Sequence, residues 1–463
     1  MMLLNNKYKL IQNQILRLIK NNRINYLMST SSQQQIQRGA ERLNGFDKPT
    51  VWSIFSPLSV EYKSVNLGQG FPNWNPPDFF MDSLLKLTKE GPHQYTRAFG
   101  SPKLVKAIAD FYSPIFNRQL DANTNVCVSA GGVSCLNSIF LGLVNPGEEV
   151  ILLDPSYDCY RAQIQMAGGI SKSVPLRPRQ LNSQTDIKQR GPVYTVSASD
   201  AWDVDFELLE KTINDNTKIL LINTPHNPTG KVFNRQELER IHEIVKKYPK
   251  CIVVEDGVYE HLCFDNYEPL KLPRFAQLEG AWDRTVSVYS AGKLYSATGI
   301  RMGWAVGPQS IIKYVQSFHQ YSVFCQHGPM QDATAEALEL SSKSSYFTDT
   351  AQKLKNHRDL LINQLVNSKI PFNIWVPEGG FFVICDISQV EVDPKYFVDE
   401  KTGEKYTKDY AFSIWLCKEK GVTAIPCSVF YPPEYQHLGQ NLVRFAFCKT
   451  EDTILEAGKR FNN

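Results

Sequence analysis

The sequence lacks the residue spacings that bind metal ions or build a disulfide framework. Its ten cysteines include no CxxC pair, and its eight histidines include no HExxH motif. Several cysteines, such as Cys127, Cys251 and Cys385, stand inside apolar segments, as reduced and buried thiols do. We therefore expect no metal ion and a reducing compartment.

Acidic residues are missing from the first forty positions, which are basic and rich in Asn, Gln and Ser. Apolar residues recur there at helical spacing, for example Leu4, Ile11 and Leu18, but charges interrupt every apolar run. This pattern excludes a secretory signal and a membrane span. It favours a mitochondrial transit peptide over residues 1–40, with a disordered basic tail as the alternative. Met28 offers an internal start that would give a cytosolic form.

The rest of the chain shows no excess of positive charge. Six of the 50 basic residues precede the first acid, Glu41, so 44 basic residues remain against 47 acidic ones and the net charge is −3. Nothing in this balance favours nucleic acid as a partner. At 463 residues, with 42% hydrophobic and 21% charged, the chain has the composition of a globular protein and the length of two domains.

Short apolar segments alternate with helical patterns from residue 125 onward. The predicted strands are residues 126–128, 150–153, 219–222, 252–254 and 285–289. Residues 235–248 between two of them form an amphipathic helical pattern. Alternating strands and helices predict an α/β fold, with a mostly parallel sheet flanked by helices.

The pattern changes near residue 348. Predicted helices at 351–366 and 409–420 are interleaved with predicted strands at 381–384 and 443–447. We expect a smaller α+β domain over residues 348–463, completed by an N-terminal arm at 41–75. The large domain then covers residues 76–347. The polar, proline-containing stretch 177–200 is interpreted as a surface excursion of this large domain.

A lysine stands directly after one predicted strand, in the run Ser290-Ala291-Gly292-Lys293. An amine that is desolvated beside other cations has a lowered pKa and can bond covalently to an aldehyde. Gly292 lets a ligand approach the backbone, and Ser290 and Arg301 suit a phosphate. An aldehyde and a phosphate on one cofactor indicate pyridoxal 5'-phosphate; the alternative is a solvated lysine in a loop.

Other polar side chains follow neighbouring strands. Tyr157, Asn227 and Asp256 each come shortly after a predicted strand, and Tyr259 follows Asp256. Ligands of open α/β sheets bind outside the carboxyl ends of the strands, so we expect these residues to share one rim. There Asp256 would pair with the pyridine nitrogen of the cofactor. Asn227 and Tyr259 would hydrogen-bond its phenolic oxygen, and Tyr157 would stack on its ring.

Two glycines, Gly131 and Gly132, open a predicted helix that continues through Val133. Free N–H groups and the positive end of a helix suit the phosphate. Lys293 would then act as general base and acid at the substrate α-carbon. Each residue alone has a simpler interpretation, such as a tight connection for the glycines or a helix N-cap for Asp256.

Seven motifs occur in order along the chain. They are NLGQGFP (66–72), QYTRAFGSPKL (94–104), DPSYDCY (154–160), NTPHNPTGKVF (223–233), EDGVYEHL (255–262), SAGKLYSATGIRMGW (290–304) and VRFAFCK (443–449). Together they resemble the fold-type-I, pyridoxal-phosphate-dependent aminotransferases. The resemblance is closest to kynurenine aminotransferases, also known as glutamine transaminase K or cysteine-S-conjugate β-lyases. It implies an aspartate-aminotransferase-like fold and transfer of an amino group from kynurenine, glutamine or a related large neutral amino acid to a 2-oxo acid.

The resemblance also implies roles for residues that local patterns do not single out. It implies a homodimer in which Tyr95 and Phe324 reach the neighbouring subunit's site. Arg444 would bind the α-carboxylate of the substrate, a task that suits a guanidinium. Gly70 and Trp52 would line the pocket, and Trp52 would offer an aromatic wall to bulky side chains.

Two other functions remain open at this point. The same site would support β-elimination from cysteine S-conjugates when the β-carbon carries a good leaving group. An aminotransferase fold that serves only as a binding or regulatory module would have lost one of Lys293, Asp256 and Arg444, and all three are present. Cys325 stands where close relatives carry a histidine, which leaves the preferred substrate side chain open.

Overall fold

The computed structural model describes residues 39–178, 188–190, 193–399 and 402–463. The predicted transit peptide, apart from residues 39 and 40, and Met28 lie outside these residues. Contacts divide the chain after Asn44. The described residues before this point contain an exposed 3-10 turn, Glu41–Leu43. Residues 45–463 form the second unit, to which all further elements belong.

The helices of this unit, labelled α1 to α15 in chain order, are Val51–Glu61, Asp78–Glu90, Pro102–Ile115, Gly132–Leu143, Cys159–Met166, Ala198–Ala201, Phe206–Thr212, Arg235–Val245, Ala291–Leu294, Gln309–Ser322, Gly328–Ser342, Tyr346–Val366, Lys408–Trp415, Gln436–Gly439 and Glu451–Phe461. The strands, labelled β1 to β17, are Val65–Asn66, Val126–Ser129, Glu149–Asp154, Ile170–Pro175, Arg177–Pro178, Lys188–Arg190, Val193–Ser197, Trp202–Asp203, Thr217–Asn223, Ile252–Asp256, Thr285–Ser290, Gly303–Val306, Asn373–Val376, Phe382–Asp386, Val422–Thr423, Ile425–Pro426 and Leu442–Ala446. A π-helical segment, Leu416–Lys420, follows α13.

A seven-stranded sheet in the order β2-β12-β11-β10-β9-β3-β4 forms the centre of the larger part. Strands β11, β10, β9, β3 and β4 run parallel to one another, whereas β12 is antiparallel to both β11 and β2. All five strands predicted in this region lie in the sheet, as β2, β3, β9, β10 and β11. This confirms the mostly parallel α/β architecture.

Both faces of this sheet are covered because its strands alternate two sets of apolar side chains. Ile151 and Leu153 of β3 pack in one core cluster, which includes α8. Val150 and Leu152 of the same strand pack in another cluster, with α4 and α10. Each fully buried aliphatic side chain of this kind contributes about 1.5–3 kcal/mol to folding. The covered faces leave the strand ends for polar residues.

Helix α8 shows how local sequence sets an element. Leu238, Ile241 and Ile244 lie on its buried face. Asn234 caps its start: its side chain accepts the Glu237 N–H at 2.9 Å, and the Glu237 carboxylate accepts the Asn234 N–H at 2.9 Å. Such a cap is worth about 1 kcal/mol.

A six-stranded sheet in the order β16-β17-β14-β13-β7-β6 forms the second core. The strands predicted near 381–384 and 443–447 are β14 and β17, which pair in antiparallel fashion. Strand β7 pairs in parallel with β13, and β6 pairs with β7. Described parts of the stretch 177–200, which we interpreted as a surface excursion of the large domain, therefore belong to the second sheet. The polar composition of this stretch carries no signal for a partner strand that lies far along the chain. The boundaries at 76 and 348 stay predictions.

None of the described helices combines the length and the apolar character needed to cross a membrane. In the same part of the chain, His, Cys, Asp and Glu side chains do not gather in threes or more around a point where a metal ion would bind.

Candidate active site

A cavity of about 250 Å³ opens at the carboxyl ends of β3, β9, β10 and β11. Most of the site residues predicted from the sequence line it: Trp52, Gly70, Gly132, Val133, Tyr157, Asn227, Asp256, Tyr259, Ser290, Lys293, Arg301 and Arg444. Residues more than 390 positions apart in the chain thus meet at one rim. The structure confirms the expectation that polar residues after separate strands converge.

Lys293 lies in α9, a single helical turn that directly follows β11. Its Nζ donates a hydrogen bond to the Gly70 carbonyl at 3.3 Å and lies 4.9 Å from the centre of the Phe381 ring. Burial lowers the pKa of Lys293 to about 8, and the charges of Arg444 and Arg301 act in the same direction. The neutral, nucleophilic form of the amine is therefore populated far more at neutral pH here than on an exposed lysine.

Asp256 lies at the end of β10 with its carboxylate buried. Its Oδ2 accepts the Tyr160 hydroxyl at 2.6 Å, and its Oδ1 accepts the Val258 N–H at 3.3 Å. Burial raises the pKa of Asp256 to about 6, whereas the Tyr160 hydrogen bond acts in the opposite direction. The group is mainly ionised at neutral pH, so it can hold a positive partner inside the cavity.

Gly131 and Arg301 form a cradle at the start of α4. Gly131 has φ +86°, and a Cβ atom placed on it would lie 2.6 Å from a guanidinium nitrogen of Arg301. Arg301 itself is left-handed, with φ +50°, and donates to the Thr298 carbonyl at 2.9 Å. A helix N-terminus beside a guanidinium favours a phosphate. Gly131 is not part of the cavity lining, whereas Gly132 and Val133 are.

Arg444 enters the cavity from β17 and is 1% exposed. It donates to Asn227 Oδ1 at 2.9 Å and to the Gly68 carbonyl at 3.1 Å, while its Nε has no hydrogen-bond partner among the described residues. Burial lowers its pKa. Three rings surround the guanidinium, with centres 5.4, 3.8 and 5.0 Å from Cζ: Trp52, Phe382 and Phe430. A buried guanidinium that forms no ion pair with a described carboxylate is costly, which indicates a site for an anion from outside.

Tyr95 and Phe324 lie apart from the lining of this cavity. Their rings pack edge to face with centres 5.2 Å apart. Tyr95 is 84% exposed and Phe324 is 52% exposed. The model thus brings these two predicted residues to each other and leaves them on the surface.

Sequence reasoning missed several lining residues, including Tyr160, Asn223 and Phe382. Asn223 donates to the Asp256 carbonyl at 2.8 Å and accepts the Asn227 N–H at 2.7 Å. A signal for Asn223 was present in the sequence, because it is the first residue of the NTPHNP run. Tyr160 was available as the last residue of DPSYDCY, but a tyrosine at that place reads equally as core.

The donors around the cavity fit pyridoxal phosphate. An amine with a lowered pKa suits its aldehyde, an ionised carboxylate suits its protonated ring nitrogen, and the cradle of α4 and Arg301 suits its phosphate. The buried guanidinium of Arg444 is left for a substrate carboxylate. Fold and cavity together define a pyridoxal-phosphate-dependent aminotransferase.

Comparison with known proteins gives the family. The model of the class I and II aminotransferases matches residues 62–461, and the chain belongs to this family. Enzymes of this family use pyridoxal phosphate and act on amino acids and 2-oxo acids, and so does this chain.

The chain is similar to several curated transaminases. It is 40% identical to a kynurenine–oxoglutarate transaminase of Dictyostelium discoideum, over 88% of this chain and 92% of that protein. It is 36% identical to human kynurenine–oxoglutarate transaminase 3, over 92% and 90% of the two chains. Among solved structures, yeast Bna3p, described as a candidate kynurenine aminotransferase, superposes with a TM-score of 0.82 at 32% identity and covers 91% of this chain and 97% of its own.

Proposed function

We propose that this aminotransferase takes the amino group of kynurenine, glutamine or a related large neutral amino acid and passes it to a 2-oxo acid. The observation that carries the substrate class is the wall of the cavity beside Arg444, which consists of the Trp52 and Phe382 rings. Lys293, Arg301 and Arg444 are the cations among the described lining residues. Since each has another task, none is left for an acidic side chain. The names of the similar transaminases support the same choice.

When bound, pyridoxal phosphate supplies an electron sink for negative charge at the substrate α-carbon. In this proposal Lys293 is the covalent attachment point. Asp256 would keep the ring nitrogen protonated, and Tyr160 holds the Asp256 carboxylate in place. Asn227 and Tyr259 would hydrogen-bond the phenolic oxygen, and Tyr157 would lie against the ring. Gly132, Val133, Ser290 and Arg301 would hold the phosphate.

Arg444 binds the substrate α-carboxylate in this proposal, because its guanidinium is already oriented by Asn227 and the Gly68 carbonyl. Lys293 would then accept the proton of the substrate α-carbon and later donate it again. Its low pKa matters here, since a base must be neutral to accept a proton. Both half-reactions use the same residues, so we expect ping-pong kinetics.

A donor-by-acceptor panel on the purified enzyme tests the substrate class. Kynurenine, glutamine, methionine, phenylalanine and aspartate are offered as donors, each with 2-oxoglutarate and a neutral 2-oxo acid. We expect large neutral donors to exceed aspartate in kcat/KM by at least tenfold, about 1.4 kcal/mol. A preference for aspartate contradicts the proposal.

We also propose that the enzyme is a homodimer in which Tyr95 and Phe324 complete the neighbouring site. Their exposure, together with that of Tyr321 at 87%, supports a surface that a second copy covers. Mixing two inactive variants tests this. Lys293→Ala and the double variant Tyr95→Ala/Phe324→Ala should recover activity when refolded together, because each mixed dimer then has one complete site. No recovery in a verified mixed dimer contradicts shared sites.

We propose, finally, that the chain is imported into mitochondria, with a cytosolic form starting at Met28. The support is the acid-free, basic segment before Glu41. Immunoblotting of fractionated cells that express the full chain or a Met28→Ala variant tests both parts. A protein confined to the cytosol contradicts import, and an unchanged cytosolic band in the variant contradicts the internal start.

A further inference from the structure

Trp52 reaches the cavity from the second position of α1 and is partly exposed. Its one polar atom, Nε1, donates a hydrogen bond of 3.0 Å to Oδ2 of Asp158. Asp158 lies 106 residues further along the chain, immediately before α5. The bond therefore ties an N-terminal helix to the wall of the cavity.

The indole differs from the other two rings around Arg444. Phe382 is 4% exposed and Phe430 is fully buried, so core packing holds both in one orientation. Trp52 is packed less completely, and two side-chain torsions are free to turn its ring. A hydrogen bond at Nε1 fixes the rotation that packing leaves open. The face that Trp52 turns toward Arg444, 5.4 Å from Cζ, depends on that bond.

Asp158 interacts with two residues of the cavity lining. Burial raises its pKa above the ordinary value, while the Trp52 N–H and the charge of Arg444 offset part of that rise. Its other contacts are backbone N–H groups at the start of α5. A half-buried carboxylate is costly to maintain, and here its side-chain partner is a residue of the substrate pocket.

We propose that Asp158 is a positioning residue that fixes the Trp52 indole as the wall of the subsite for the amino acid side chain. The fixed ring favours donors with a flat aromatic side chain over flexible aliphatic ones. This inference rests on the proposed function, because it takes the donor to lie between Arg444 and the cofactor.

The test uses steady-state kinetics of the cofactor-loaded enzyme with kynurenine and with methionine. Asp158→Ala should raise KM for kynurenine about tenfold, the weight of a hydrogen bond to a charged group. Its kcat for kynurenine and its KM for methionine should change less than about twofold, because packing of the aliphatic donor does not need a fixed indole. Asp158→Asn should restore most of the kynurenine KM, since the amide oxygen accepts the same N–H.

The control is Trp52→Phe, which keeps an aromatic ring and removes the N–H. It should raise the kynurenine KM as Asp158→Ala does, and adding Asp158→Ala to it should have no further effect. A persistent Asp158→Ala effect in the Trp52→Phe background, or an equal rise in KM for both donors, overturns the proposal. If Asp158→Ala does not fold, the Asp158→Asn and Trp52→Phe enzymes decide: a Trp52→Phe enzyme with unchanged kynurenine KM refutes it.

These outcomes are separate from failure of the proposed function. If the wild-type enzyme transfers no amino group from large neutral donors, the substrate class is wrong. If the wild-type enzyme is active with both donors and the variants behave like it, only the role of Asp158 is wrong.

Discussion

Two buried arginines, Arg274 and Arg444, stand in opposite electrostatic surroundings. Arg274 is 3% exposed and forms an ion pair of 2.7 Å with Glu260. Arg444 is 1% exposed and has two neutral hydrogen-bond acceptors instead. Their pKa values move apart: carboxylates raise the pKa of Arg274 against burial, while burial lowers that of Arg444. Equal burial thus conceals two different uses of a guanidinium.

Carboxylates match the charge of Arg274 without any ligand, although its Nε, like that of Arg444, has no hydrogen-bond partner among the described residues. Glu260 also accepts the Tyr112 hydroxyl at 2.5 Å, and Glu255 accepts the Phe275 N–H at 2.8 Å and the Ser287 hydroxyl at 3.0 Å. Glu255 directly precedes Asp256 on β10, so strand alternation turns the two carboxylates to opposite faces. In the Arg274 cluster the charge is paired inside the protein, whereas Arg444 and Lys293 form no ion pair with a described carboxylate. Unmatched charge in a buried place identifies the binding site here better than burial does.

The largest effect on activity should come from removing the amine of Lys293 from the cavity. Lys293→Ala should lower turnover by on the order of 10⁴-fold to 10⁶-fold, because it removes attachment point and proton carrier together. Transamination rates and circular dichroism measure activity and fold. Lys231 is a matched control: it is buried and paired with Glu237 at 2.8 Å, so Lys231→Met should reduce stability and not the chemistry. Substantial residual turnover in Lys293→Ala contradicts the assignment.

Removing the guanidinium from the Arg274 cluster should lower the free energy of unfolding. Arg274→Met leaves the Glu260 carboxylate without its ion pair, and we expect the free energy of unfolding to fall by about 3–5 kcal/mol. The pKa of Glu260, which burial already raises to about 7, should rise further. Urea unfolding at pH 7 measures the loss. A variant as stable as the wild type would show that the cluster is not needed for folding.

The same substitution at Arg444 should affect catalysis and not stability. Arg444→Met should cost about 2–5 kcal/mol of transition-state stabilisation, which is measured as a lower kcat/KM and comes chiefly from a higher KM for the amino acid. Its unfolding free energy should stay within about 1 kcal/mol of the wild type, because a buried charge without a carboxylate partner is removed. Kinetics and urea unfolding of the two Met variants, side by side, sharpen the comparison. An unchanged KM in Arg444→Met removes this residue from the carboxylate role.

The smallest effect concerns pH. The neutral form of Lys293 accumulates as pH rises through about 8, since burial lowers its pKa from the ordinary value of 10.5. Reloading of the apoenzyme with pyridoxal phosphate should therefore speed up between pH 7 and pH 9. In Arg444→Met a positive neighbour is gone, so the protonated amine is less disfavoured and the midpoint should move upward. Stopped-flow absorbance measures it; a midpoint that stays or falls contradicts the coupling.

Residues with a local signal were predictable from the sequence. Lys293 and Asp256 each follow a short apolar strand, and a polar residue at such a strand end points to the rim of a parallel sheet. Arg444 has no such signal, because a guanidinium in a late strand reads equally as a surface ion pair. Its place, like that of Trp52, came from resemblance to a family.

Contacts between distant segments escaped prediction. The bond from Tyr160 to Asp256 and the one from Trp52 to Asp158 join residues about a hundred positions apart, and no spacing in the sequence encodes them. The same holds for β7, whose pairing with β13 forms only when the second sheet assembles. Periodicity predicts an element and its buried face, but not the partner of that face.

The lining of the cavity begins with Trp52 and ends with Arg444, which β17 aligns beside Ile384 of β14. The cavity is therefore incomplete until β17 has been translated. A product of premature termination before Arg444 keeps the lysine of α9 and the strands of the large sheet, yet lacks the guanidinium that we propose for the substrate carboxylate. Nonsense variants as late as the codon of Arg444 should be as inert as early ones.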